Sequence, residues 1–192
     1  MNYIKIDTIN STNEFLKSYS RTKDLPDFFY VITDLQTQGK GQRSNIWQSE
    51  CCNNILISFY LKPDFSPAKQ YLLNQIVSLS IVAVLEKFNI PDVQIKLPND
   101  ILSAGNKISG ILIENKMQHN KIIQSIIGIG LNVNQTDFVN LPDAVSMKMQ
   151  TGTDYDKDTI VESLLDNLNK YYRTKPELLD TLFNKYLITN TK

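Results

Sequence analysis

The sequence predicts an α/β domain of the α+β type, a mixed β-sheet flanked by helices. Three observations carry this. Runs rich in aromatic and β-branched residues recur at strand length, as in "DFFYVITDLQ" (27–36) and "NNILISFYLKP" (53–63). Apolar residues at helical spacing mark longer segments, the longest being "PAKQYLLNQIVSLSIVAVLEKFNI" (67–90), expected to pack on the sheet. Several strands follow one another through hairpins, which argues against a regular βαβ winding.

From the amino terminus, "STNEFLKSYS" (11–20) opens on cap-type residues and carries Glu14 three positions after Ser11, the pattern of a capping box at a helix start. Strand 27–36 leads into the glycine-rich stretch "TQGKGQRSNIWQSE" (37–50), and strand 53–63 ends at Pro63. After the long helix, "VQIKLPND" (93–100) is a short strand stopped by Pro98. "ILSAGNKISGILIENK" (101–116) reads as a hairpin tipped at Ala104–Asn106. "KIIQSIIGIGLNVNQ" (121–135) is a long apolar strand interrupted by Gly128 and Gly130. "DKDTIVESLLDNLNKYYRTK" (156–175) and "PELLDTLFNKYL" (176–187) are helical, the second opening on a proline in its first turn.

The 192 residues suffice for one domain with a substantial core, and 20 basic side chains balance 20 acidic ones. With no net field to draw nucleic acid or an anionic membrane, affinity for anions must come from local clusters. The two cysteines, Cys51 and Cys52, are adjacent. Neighbouring cysteines rarely bridge, because disulfide geometry strains the joining peptide, and a second pair for zinc is missing. They are expected to be reduced thiols of a cytoplasmic protein. The amino terminus has no apolar signal core, and no apolar run is expected to reach the about 20 residues of a membrane span.

Four stretches carry candidate chemistry. In the glycine-rich loop, Gly39 and Gly41 permit close approach of backbone N–H groups, Lys40 and Arg43 supply positive charge, and Trp47 offers a wall. A solvated hairpin turn accounts for the same residues. Lys96, Asn99 and Asp100 cluster at a strand end, and Lys107, seven residues after Asp100, can fold back across the hairpin toward them, with Gly110 leaving space in the strand. Lysine beside a carboxylate suits phosphate or a phosphate-bound magnesium; a surface hairpin with routine charges is the alternative. In "GIGLNVN", alternation puts Gly128, Gly130, Asn132 and Asn134 on one face, empty near its start and amide-lined near its end, as a flat polar-edged ring requires. A β-bulge region would look similar. Ser11, Thr12 and Asn13 are either a helix cap or groups that hydrogen-bond a ligand's urea or amide. His119 lies in a polar turn and is read as solvated.

Taken in order, "STN", "QTQGKGQRSNIW", "KLPNDILSAGNKISGILIEN" and "GIGLNVN" resemble the biotin–protein ligases over roughly residues 1 to 175. The resemblance implies the catalytic fold shared with class II aminoacyl-tRNA synthetases and lipoate ligases. It implies condensation of biotin with ATP, with Mg²⁺, to biotinyl-AMP, then transfer to a lysine of a biotin carboxyl carrier protein. Carried over by motif, Ser11, Thr12, Asn13, Gln36, Gly39, Lys40, Gly41, Lys107, Gly110, Gly128 and Gly130 would bind biotin. Arg43, Trp47, Lys96, Asn99, Asp100 and Asn132 would bind the nucleotide, Asp100 also reaching magnesium through it. Lys107, Lys40 and Arg43 would be catalytic.

The match has departures. The family's "GRGRRGRxW" stands here as "GKGQRSNIW", with Gln42, Ser44 and Asn45 where cations or glycine are usual, and Leu97 replaces a tryptophan. The resemblance further implies a catalytic domain at 1–175 and a C-terminal helix at 176–192 leading to a small domain expected to be absent. It implies no DNA-binding domain before residue 10, hence no DNA partner, no membrane partner, and a monomer or weak homodimer. A lipoate or octanoate ligase, or a non-catalytic binding homologue, are the rival readings.

Overall fold

The structure, a computed structural model, describes residues 2–63 and 65–188. It contains the strands β1 (Tyr3–Ile9), β2 (Tyr30–Gln36), β3 (Ile55–Leu61), β4 (Val93–Lys96), β5 (Asp100–Ser103), β6 (Asn106–Gln118) and β7 (Lys121–Leu131). The helices are α1 (Thr12–Tyr19), α2 (Tyr71–Lys87), α3 (Met147–Thr151), α4 (Lys157–Tyr172) and α5 (Pro176–Tyr186). The strands run in the order β1-β2-β3-β7-β6-β5-β4. β1 pairs with β2 in parallel, while β2–β3, β3–β7, β4–β5 and β5–β6 are antiparallel, so the sheet is mixed as the sequence predicts.

The chain forms two compact units, Met1–Gln70 with Ile111–Leu131, and Tyr71–Gly110 with Asn132–Lys192. In the first, β3 is buried along its whole length, which explains an apolar run interrupted at Ser58. α1 lays Leu16 into a core with Leu25, Phe29, Val31, Tyr60 and Ile126. Phe15 and Tyr19, one helical turn apart, stack at 5.7 Å, and Tyr19 continues onto Phe29 at 5.9 Å.

The second unit is organised by α2. Its side chains from Leu72 to Leu85 are buried on nearly every side, because α4, α5 and β4 all pack against it. Contrary to the expectation that no apolar run reaches membrane-spanning length, residues 67–87 are long and apolar enough to cross a bilayer; 67% of that window is buried inside the fold, as in a core helix. α4 starts at Asp156, whose carboxylate accepts from the Thr159 backbone N–H at 3.0 Å and from its hydroxyl at 2.6 Å. Those bonds hold the Asp156 carboxyl below the usual range.

Two tight turns join neighbouring strands. Between β5 and β6, Ala104 and Gly105 take φ of 47° and 79°; between β6 and β7, His119 and Asn120 take 47° and 59°. Left-handed backbone at both positions suits a two-residue hairpin. Asn132 and Asn134 were expected within the glycine-bearing strand; β7 ends at Leu131, and both lie just beyond it.

Candidate functional site

In the first unit, the start of α1 is built into a polar cradle. Ser11, Thr12 and Asn13 are all nearly inaccessible. The expected capping box does not form, since the Ser11 side chain makes no cap bond. A glutamine from the end of β2 does that work: the Thr12 backbone N–H and hydroxyl both donate to Gln36 Oε1, at 2.8 and 3.0 Å. Ser58 of β3 places its hydroxyl 2.7 Å from Thr12 Oγ1 and 2.6 Å from Asn13 Oδ1. The Asn13 amide donates to Glu114 Oε2 at 3.0 Å, which fixes its orientation.

Ser58 stands directly across from Gly128 in the β3–β7 ladder. The missing side chain at Gly128 is what admits Asn13, because a Cβ there would overlap Asn13 Oδ1. Two residues on, and on the same face, Gly130 lies under the Trp47 indole, and a Cβ would overlap the ring. The two glycines do share a face, but the start of that face, expected to be empty, is filled by the Asn13 amide at Gly128 and the Trp47 indole at Gly130.

The glycine-rich loop is itself a small hairpin. Trp47 donates its backbone N–H to Gly39 O at 2.9 Å, Gly41 donates to Asn45 O at 2.7 Å, and Lys40 bridges Ile46. At its tip Arg43 is exposed, with a left-handed φ of 53°. Lys40 is tied to α1 through Glu14, at 3.0 Å. Glu14 also meets Lys17 at 3.4 Å, and Lys17 in turn meets Glu114 at 2.5 Å. The hydrogen bond from Lys40 holds the Glu14 carboxyl below its ordinary pKa, against the opposing effect of burial, with Lys17 adding to the lowering. The bond to Glu114 raises the Lys17 ammonium's pKa.

In the second unit, Lys107 reaches Asp100, with Nζ 2.6 Å from Oδ1. The register explains this. Lys107 opposes Leu102 across β5–β6, so Asp100, two residues earlier in β5, is its diagonal neighbour, brought close by a bulge at Ile101/Leu102. The Lys107 backbone is held too: its N–H donates to Asp143 O at 2.6 Å and its carbonyl accepts from Val145 at 2.9 Å. Lys96 pairs with Asp100 across β4–β5 and is exposed, Asn99 is half-buried, and Gly110 is buried opposite Asp100. Asn132 is buried, donating its amide to Val145 O at 3.0 Å and its backbone N–H to Ile108 O at 2.9 Å. Its Oδ1 has no hydrogen-bond partner among the described residues.

Sequence reasoning missed Ser58, Glu14 and Glu114 as members of these networks. Ser58 had a signal, a lone hydroxyl inside the apolar run of β3. Glu114 had none, since its partner Asn13 lies 101 residues away.

A family model described as the biotin/lipoate A/B protein ligase family matches residues 6–132. The chain is 34% identical over 171 residues to the bifunctional ligase/repressor BirA of Bacillus spizizenii, covering 87% of this chain and 52% of that one. It is 28% identical over 164 residues to the biotin--[acetyl-CoA-carboxylase] ligase of Mycobacterium tuberculosis, covering 82% and 59%. The chain thus spans about half the length of the curated relatives it matches. Among solved structures, the biotin protein ligase from Aquifex aeolicus in complex with biotin and ATP superposes with a TM-score of 0.82 at 27% identity, covering 97% of this chain and 78% of that one.

Proposed function

Because the chain belongs to the biotin/lipoate A/B protein ligase family, we propose that it is a biotin–protein ligase, activating biotin with ATP as biotinyl-AMP and passing the biotinyl group to a lysine of a biotin carboxyl carrier protein. The observation that carries the choice of substrate is the cradle of Thr12, Asn13, Gln36 and Ser58 against Gly128. A ureido ring offers both N–H donors and a carbonyl acceptor to such a set of amides and hydroxyls. A lipoyl or octanoyl chain offers those groups no hydrogen bond, so it gains nothing from a polar cradle. The Mycobacterium tuberculosis relative and the Aquifex aeolicus structure also carry biotin in their names.

The nucleotide is assigned to Lys107, Asp100, Asn99, Lys96 and Asn132. When the biotin carboxylate attacks the α-phosphorus and pyrophosphate leaves, negative charge grows on the phosphoryl oxygens. Lys107, pre-positioned by Asp100 and by the backbone bonds on either side of it, neutralises that charge without first having to reorganise. The bare acceptor Oδ1 of Asn132 suits an amino group of the base. Lys40 and Arg43, on the glycine hairpin, are assigned to holding the adenylate and excluding water from the mixed anhydride.

Magnesium belongs to the same proposal. Among the described residues no group of three His, Cys, Asp or Glu side chains is placed to hold an ion. Asp100 offers one hard-oxygen carboxylate, which fits Mg²⁺ sharing its coordination with phosphates. The ion would neutralise phosphate charge when bound.

The test is incubation with biotin, MgATP and a carrier domain, followed by intact mass of the carrier and measurement of pyrophosphate. The expected result is one biotinyl addition with pyrophosphate release. Pyrophosphate release and acylation with lipoate but not biotin would move the chain to the lipoate branch; neither product with either acid would leave a binding homologue.

A further inference from the structure

Cys51 and Cys52 sit where the glycine hairpin returns to β3, outside both residue sets assigned to substrates. Adjacent side chains on extended backbone point to opposite sides. Here Cys52 takes a left-handed φ of 68°, and the two sulfurs come to 2.8 Å on the same side of the joining peptide. Both cysteines are reduced and exposed. Cys52 is also the anchor of the loop's far end, its backbone N–H donating to Asp34 O on β2 at 3.1 Å, and the Asn53 amide closes the turn by donating to Glu50 at 2.8 Å.

We propose that Cys51 and Cys52 form a reversible redox site, closing into a ring disulfide by exchange with a small-molecule disulfide of the glutathione type. In the first step one protein thiolate attacks a sulfur of the small disulfide, forming a mixed disulfide and expelling one small thiolate. In the second, the neighbouring thiolate attacks the protein sulfur of that mixed disulfide and expels the other small thiolate. Two protein thiols thereby lose two protons and two electrons, and one small disulfide becomes two thiols. The second step needs no diffusion, since the attacking sulfur is already beside its target. The strain that makes such rings rare also makes them easily reduced, which is the property of a labile regulatory disulfide rather than a structural one. Closing the ring stiffens the backbone at the loop's anchor and so restrains the hairpin that carries Lys40 and Arg43.

The experiment treats the full chain with excess glutathione disulfide and reads intact mass and thiol alkylation. The wild-type protein is expected to lose two hydrogen atoms, keep no glutathione, lose both alkylatable thiols, and recover them in excess reduced glutathione. Cys52→Ser is expected to keep one stable glutathione, as the trapped first step. In the oxidised wild type, trypsin is expected to cut more slowly after Lys40 and Arg43. Stable glutathione on both wild-type cysteines, disulfide-linked dimers, two thiols left free, or an unlabelled Cys52→Ser would each overturn the ring. Ring closure with unchanged tryptic cleavage would overturn its link to the loop.

Discussion

At Gly128 a single hydrogen in place of a side chain decides whether Asn13 can lie against β7. Gly128→Ala puts a methyl group into Asn13 Oδ1, an atom already engaged by Ser58. Relief requires the amide to move, and overpacking of this kind costs about 1–3 kcal/mol. Titration calorimetry should show biotin affinity lower by about tenfold or more, that factor corresponding to about 1.4 kcal/mol; unchanged affinity would remove Asn13 from the biotin cradle. The role proposed for Lys107 is different, since its charge would matter most when the phosphoryl oxygens gain charge. Lys107→Ala should lower the rate of biotin-dependent pyrophosphate release by about 10²–10³ while biotin affinity changes only a few-fold. Equal losses in both measurements would make Lys107 a binding group only.

Among the elements, the glycine hairpin is restrained at one side by Lys40 on Glu14. Both side chains are substantially exposed, so the pair is worth about 0.2–1 kcal/mol. The Glu14 pKa is depressed in the fold, so its contribution is complete above the ordinary glutamate pKa and is lost as pH falls through the lowered value. Amide exchange over residues 39–47, corrected for its intrinsic pH dependence, should therefore rise toward acid in the wild type. Glu14→Gln should show the faster exchange already at neutral pH. Most elements were legible in the sequence, because buried strands such as β3 and helices as long as α2 write their period into many residues. β1 was missed because it is an edge strand whose isoleucines are only half-buried and alternate with exposed polar residues, and α3 because five residues give no period. At the site, "STN", the glycine positions and the Lys107–Asp100 approach were readable from local spacing. The Gln36 bond that replaces the capping box, and the Ser58 and Glu114 contacts, depend on strand register across 24 to 101 residues, and of these only the lone hydroxyl in β3 leaves a local trace.

For the molecule as a whole, the second unit relies on its last helix. α5 buries Leu179 and Phe183, and Asp180 accepts a hydrogen bond from Gln75 of α2 at 2.7 Å. Beyond the helix, Ile188 donates its N–H to Ile95 O on β4 at 2.9 Å. Ending the chain after Lys175 exposes apolar surface worth about 1.5–3 kcal/mol for each of the two large side chains. Thermal unfolding of that truncation should begin well below that of the full chain, and an unchanged Tm would make α5 dispensable. The left-handed corner at His119 and Asn120 has a practical consequence at this same scale. It is exposed, stands at the far end of β6 from Lys107, and closes a hairpin whose strands are already paired. A fluorophore or short affinity peptide grafted between those two residues should leave the chain foldable and give it a handle for tethering to a solid support.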